Sequence, residues 1–266
     1  MSVLDNYPST SDRDAAYPAA SNIGRCIFRT DTKAIEVSDG TNYLTYNNDG
    51  ITYDFSGSNS HSGVFDGGND YIDIGTLSEL NTSGDYSVST WVKFEATTLS
   101  LETIYGAGTG TSARAWVIII DSTTIRFGSG SAVDDFSPSS ALTNGQWYHF
   151  VFTVNGTNGE VFLDGSSLGT ATVNAPASTA FNDFRIGGLS GGGGFGSTVN
   201  PIQGKMDEFA VYNRAITGTE VSNIYNNKIY VGPTAMYRLD NDVTDEIGNY
   251  DGTNNGVTFS TSDKPY

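Results

Sequence analysis

A single cysteine, Cys26, and two histidines, His61 and His149, are all the thiol and imidazole chemistry in this chain of 266 residues. One cysteine excludes an intrachain disulfide, and with it the framework of a small secreted domain. Two imidazoles and one thiol do not make a dedicated zinc site by spacing. Charge is scarce too: charged residues are 16% of the chain, and 30 acids against 13 bases leave a net charge of −17. A surface of that sign repels nucleic acid and anionic lipid, so neither is expected as a partner. The longest apolar run, AWVIII at residues 115–120, is far too short to span a bilayer, and no membrane insertion is expected. The opening residues MSVLDNYPSTSDRD show no basic stretch leading into an apolar one, which predicts no signal peptide and synthesis in a cytosol.

The sequence does hold short alternating runs between turns rich in Gly, Asn and Asp. YSVSTWVKF sets Tyr86, Val88, Val92 and Phe94 on one face and Ser87, Ser89 and Lys93 on the other. Trp91 interrupts that polar face, so the sheet is expected to be covered there. In WYHFVFTV, Tyr148, Phe150, Phe152 and Val154 share a face, and NGTNG then reverses the chain into EVFLDG. Strand signals at this spacing from residue 51 to 213 predict an all-β protein, a two-sheet antiparallel sandwich. ITGTEVSNIYNN predicts one short helix, with Thr217 and Glu220 at capping-box spacing and Val221, Ile224 and Tyr225 on one side. Near the N-terminus CIFRT, AIEVS and YLTY predict a three-stranded meander preceded by a polar arm, together residues 1–50.

VFDGGNDYIDIG, YSVSTWVKF, NGQWYHFVFTVNGTNGEVFLDGSSLGT and GKMDEFAVYNRAITGTEVSNIYN resemble, in order, successive motifs of the laminin-G-like, concanavalin-A-like jelly roll. The likeness spans residues 51–230 and implies two curved sheets packed face to face. The meander, through Phe28, Thr30, Asp31, Thr32, Val37, Asp39, Gly40 and Thr41, resembles a small module of bacteriophage tail and appendage proteins. Together these resemblances imply a non-enzymatic virion structural protein. It would be a capsid decoration, fibre or tail component, attached to other virion proteins by its N-terminal arm and forming homo-oligomers. A carbohydrate-binding adhesin for host-surface glycans is the alternative. AMYRLDNDVTDEIGNYDGTNNGVTFS resembles the opening strands of such a domain, here placed last. Residues 231–266 are therefore expected to complete the sandwich, in cis or in a neighbouring subunit.

No Glu in the chain has an Asp two residues later, so the Glu-x-Asp-x-x-Glu strand of the glycosidases that share this fold is missing, and no catalytic residue is assigned. Asp207 and Glu208 are adjacent, and strand alternation predicts that their side chains point to opposite faces. His149 is expected as a hydrogen-bonded strand residue and His61 as part of a solvated loop. Calcium is the cofactor the resemblance allows, with Asp66 and Asp207 as candidate ligands by position. DNDVTDEIGNYDG begins like an EF-hand loop but carries Asp245 where glycine is needed and Asp251 where glutamate is needed. Turn-shaping hydrogen bonds are the expected use of these carboxylates. For a glycan, Tyr105 in IYGAG and Phe195 in the glycine-dense stretch 187–196 are the expected exposed aromatic contacts.

Overall fold

The computed structural model describes residues 59–80, 84–96, 98–108, 115–176, 181–189 and 201–266, together with five strands within residues 5–54. It divides into two units, residues 1–57 with 227–232 and residues 58–226 with 233–266. In the smaller unit β1 (Asp5–Tyr7), β2 (Cys26–Arg29), β3 (Ala34–Ser38), β4 (Tyr43–Asn47) and β5 (Gly50–Asp54) lie side by side in that order. β1 runs parallel to β2, and β2, β3 and β4 are antiparallel neighbours. Most of the polar arm lies outside the described residues.

The larger unit contains β6 (Ser62–Asp66), β7 (Tyr71–Gly75), β8 (Tyr86–Phe94), β9 (Glu102–Ala107), β10 (Ala115–Asp121), β11 (Thr124–Ser129) and β12 (Ala132–Phe136). Next come β13 (Trp147–Asn155), β14 (Asn158–Leu163), β15 (Ser166–Thr172), β16 (Phe184–Ile186), β17 (Gln203–Tyr212) and helix α1 (Gly218–Asn227). β18 (Ile229–Val231) pairs with β5 and finishes the sheet of the smaller unit. β19 (Ala235–Tyr237), β20 (Thr253–Asn255) and β21 (Thr258–Ser260) return to the larger unit.

Two antiparallel sheets form the sandwich. One is ordered β15-β14-β13-β8-β17-β6-β21, with β19 also on β17; the other is β12-β11-β10-β9-β16-β7-β20. The alternation in the sequence decides what lies between them. Tyr86, Val88, Val92 and Phe94 of β8 and Tyr148, Phe150, Phe152 and Val154 of β13 all join the core, facing Val117, Ile119, Ile125 and Phe127 of the other sheet. Burying each large side chain contributes about 1.5–3 kcal/mol. Turn chemistry fixes the register: Asp164 and Gly165, both at positive φ, join β14 to β15 in the mirror-image turn that suits twisted strands. The C-terminal segment adds strands to both sheets, β19 on β17, β20 on β7 and β21 on β6.

Alternation breaks at one place in β17. Met206, Phe209 and Val211 all point into the core, three and then two residues apart, so one residue is inserted. The pairing with β8 slips there, from Asp207 opposite Trp91 to Ala210 opposite Ser89. This is a β-bulge, with Glu208 at φ 49. Thr90 donates its hydroxyl to the Asp207 carbonyl there (3.1 Å). Asp207 and Glu208 therefore share the outer face, contrary to what alternation predicts.

Helix α1 starts with a reciprocal capping box: Thr217 N donates to Glu220 Oε2 (2.8 Å) and Glu220 N to Thr217 Oγ1 (3.3 Å). It covers part of that outer face. Tyr225 stacks on Trp91 at 5.6 Å and on His149 at 6.0 Å, which is why a tryptophan is tolerated among the polar residues of β8.

Candidate functional site

At one end of the sandwich three loops border an open cleft of about 450 Å3, lined by Thr98, Leu99, Asp121, Ser122, Leu142, Thr143 and Asn144. Main-chain and side-chain bonds brace its walls. Leu142 N donates to Ser122 O (2.6 Å), Gly145 N to Phe94 O (2.8 Å), and Thr143 N to the Tyr148 hydroxyl (2.7 Å). The Asn144 amide also donates to Ala96 O. Asp121 accepts from both the amide and the hydroxyl of Thr123 at 2.8 Å, and these bonds hold its carboxyl below the usual range. Leu99 and Leu142 are buried and give the cleft an apolar floor, while the polar groups ring it. An apolar floor with a few fixed polar groups in this volume range suits a small polyhydroxylated ligand. Asp121 is the single carboxylate among the lining residues, whereas glycosidic cleavage takes a pair.

The acids brought together by the bulge are buried rather than displayed. Asp207 and Glu208 are both 0% exposed. Asn59 donates to Asp207 Oδ2 (2.7 Å), the Glu208 amide to Asp207 Oδ1 (2.9 Å), and the Tyr266 hydroxyl to Glu208 Oε1 (2.7 Å). Burial first, and the Glu208 carboxyl second, push Asp207 well above the ordinary carboxylate range; burial pushes Glu208 up as well. A substrate cannot reach this pair while the chain is folded as described.

The residues expected to carry function are scattered. Tyr105 is not an exposed contact: it is fully buried, stacked on Phe184 at 5.5 Å and edge-on to Phe209. β9 is buried along its whole length, so a ring on either of its faces meets protein, and Tyr105 presents nothing to a ligand. Phe195 lies outside the described residues. Asp66 is exposed and accepts from Gly68 N in an Asx turn (2.7 Å). It pairs opposite Gln203, four residues along β17 from Asp207, which separates the two by roughly 13 Å at strand rise. They do not form one calcium site, and among the described residues no group of three or more His, Cys, Asp or Glu side chains is placed to hold a metal ion.

Asp245 resolves the EF-hand-like stretch. It is 2% exposed and accepts four main-chain bonds, from Met236 and Ile247 on Oδ1 (2.8 and 3.0 Å) and from Asn249 and Tyr250 on Oδ2 (both 3.1 Å). Its carboxylate organises the loop that ties β19 to β20. His149 is buried, with Nε2 2.9 Å from Ser89 Oγ. His61 does have a neighbour: Ser60 Oγ is 2.8 Å from its Nδ1, and Asp240 Oδ1 accepts from Ser60 Oγ and from the His61 amide. The acid holds the serine instead of the imidazole, so the three do not make a nucleophilic triad.

A family model described as the concanavalin A-like lectin/glucanases superfamily matches residues 66–222. Among solved structures, one similar chain is a protein from Bacteroides ovatus ATCC 8483 provisionally described as carbohydrate binding, with TM-score 0.56, 19% identity, and 77% of this chain and 61% of that one covered. Another is the native heptameric SAP-like pentraxin of Limulus polyphemus, with TM-score 0.58, 17% identity, and 77% and 96% covered. The chain thus spans about three-fifths of the length of the first of these. No curated protein matches it in sequence.

Proposed function

The chain belongs to the concanavalin A-like lectin/glucanases superfamily, and from that premise we propose that it is a non-enzymatic carbohydrate-binding module whose rim cleft holds a glycan. The observation that carries this reading is the cleft itself. Asp121, Ser122, Thr98, Thr143 and Asn144 surround a floor of Leu99 and Leu142, with Leu142 and Thr143 held by hydrogen bonds to Ser122 and Tyr148. Hydroxyl, carboxylate and carboxamide groups are what a sugar's vicinal hydroxyls pair with, and a pre-formed site binds without ordering loops first. The likeness to the Bacteroides ovatus protein supports the same reading. The lone cleft carboxylate and the sealed Asp207–Glu208 pair favour holding a sugar over cutting it. The test is a glycan array followed by titration. Asp121→Asn, which keeps an acceptor for the Thr123 turn, weakens binding about tenfold, the loss of roughly one charge-assisted hydrogen bond. Binding unaffected by Asp121→Asn and Thr143→Val would remove the cleft from the account.

A second reading gives the N-terminal unit an attachment role on a bacteriophage virion, in a homo-oligomer. It is supported by the meander motif and by the fact that β1–β5 and β18 complete a sheet of their own. Removing residues 1–54 then abolishes assembly with virion proteins and leaves the melting of the sandwich unchanged; assembly that survives the deletion rejects this role.

A further inference from the structure

Trp147 of β13, Lys93 of β8 and Lys205 of β17 stand in one row across the outer face of the larger sheet. Trp147 is paired with Lys93, and Lys93 with Lys205. Two ammonium groups directly opposite on neighbouring strands repel each other. One carboxylate reconciles them. Asp263 Oδ2 lies 2.5 Å from both Nζ atoms, and Asp263 Oδ1 accepts the Trp147 indole N–H at 3.0 Å. Glu95 stands at the edge, 3.1 Å from Lys205 and 3.8 Å from Lys93. Burial alone would raise the Asp263 carboxyl, yet the bonds from Lys205, Lys93 and Trp147 bring it down to about 2. Three donors therefore converge on the two oxygens of a single carboxylate.

The donors and the acceptor differ in how they are held. All three donors project from ladder-bonded strands, whereas residues 261–266 follow β21 and join no strand. The tail is fastened mainly by side chains: Ser62 Oγ donates to Asp263 O (2.7 Å), Lys264 Nζ to Asn59 O (2.8 Å), and Tyr266 to Glu208. Displacing it uncovers a rigid site and breaks no strand. Two residues of the row are close in sequence to residues of the cleft. Asn144 precedes Trp147 by three residues, and Thr98 follows Lys93 by five.

We propose that the Trp147–Lys93–Lys205 row is a binding site for the carboxylate of an acidic saccharide of the uronate class, and that Asp263 is its resident occupant, displaced when such a ligand arrives. The donor row stands on its own geometry; that a sugar bears the carboxylate rests on the carbohydrate reading above. A tethered carboxylate competes at an effective concentration on the order of millimolar, so it masks the site from weak ligands and yields to one that makes further contacts.

The test uses the full chain and glucuronate, with methyl glucoside and acetate as controls at matched ionic strength. Asp263→Asn binds glucuronate at least about tenfold more tightly than wild type, because the carboxylate bonded to all three donors is gone and Glu95 reaches only the two lysines. Adding Lys205→Met to Asp263→Asn abolishes that binding. In wild type, glucuronate but not methyl glucoside moves the Trp147 indole N–H resonance. A folded Asp263→Asn that does not bind glucuronate, or binding that survives Lys205→Met, overturns the site. Glucuronate binding no tighter than acetate overturns the assignment to a sugar. Should Asp263→Asn fail to fold, the wild-type resonance decides alone, and an unmoved signal overturns the proposal. Failure of the cleft reading is distinguishable, because it is read with neutral glycans and with Asp121→Asn.

Discussion

Replacing Asp245 with alanine isolates what holds the C-terminal segment on the sandwich. The carboxylate accepts four main-chain N–H groups and is 2% exposed. Met236 is fully buried on β19, so its amide is left without water or partner. An unsatisfied buried donor costs about 2 kcal/mol, and each of the three donors that water can reach about 0.5 kcal/mol, so Asp245→Ala loses roughly 3–4 kcal/mol. Asp245→Asn keeps one acceptor oxygen but turns an N–H group toward two of the donors, and loses about 2 kcal/mol. Trp91, Trp116 and Trp147 all belong to the larger unit, so tryptophan emission during guanidinium unfolding follows that unit alone. The expected order of midpoints is wild type, then Asn, then Ala, in calcium or in chelator alike. A loss below about 1 kcal/mol for Asp245→Ala would refute the hydrogen-bond argument. A wild-type midpoint that falls on chelation would instead make this loop a metal site.

Stability should also depend on pH in a definite direction. Burial raises Glu102 from 4.5 to about 7, against the lowering bond from Gln203 N. The folded chain therefore binds a proton there that the unfolded chain does not, and stability climbs as pH falls from above 7 toward 4.5. Asp207 and Glu208 act in the same sense. Asp263, held at about 2, opposes them, and its contribution is lost as pH drops from 3.8 toward 2. Urea midpoints should be higher at mildly acidic than at mildly alkaline pH, and Glu102→Gln should flatten the profile; a midpoint rising with pH across that range contradicts the assignment. Gly204→Ala should destabilise by about 1–3 kcal/mol in the same unfolding assay, because a Cβ there would sit 2.1 Å from Lys93 O, main-chain atoms that cannot step aside. Tyr225→Ala should shift tryptophan emission to the red by uncovering Trp91, now 6% exposed; unchanged emission would show that α1 does not cover that ring.

What was legible in the sequence is what period two encodes. The inward faces of β8 and β13 follow directly from the spacing of Tyr86, Val88, Val92, Phe94, Tyr148, Phe150, Phe152 and Val154. The capping box at Thr217 and Glu220 located α1, and Trp91 on a polar face foretold a cover. Alternation fails where a residue is inserted, so the shared face of Asp207 and Glu208 could not be read from DEF. It also fails on a strand buried on both faces, and so the sequence pattern does not reveal that Tyr105 is covered. The cleft and the lysine row were hidden for a different reason: each joins residues far apart in the chain, and no local pattern announces that Asp263 will lie against Lys93, 170 positions away.

The proposed module holds a glycan without cutting it, and one experiment reads both. Glycans retained on an array are titrated against the full chain by calorimetry, and the recovered sugar is then sized by chromatography. Saturable binding, weakened by Asp121→Asn, with the glycan returned at its original length, is the predicted result. Shortened glycan, or no binding to any neutral or acidic saccharide, would contradict it.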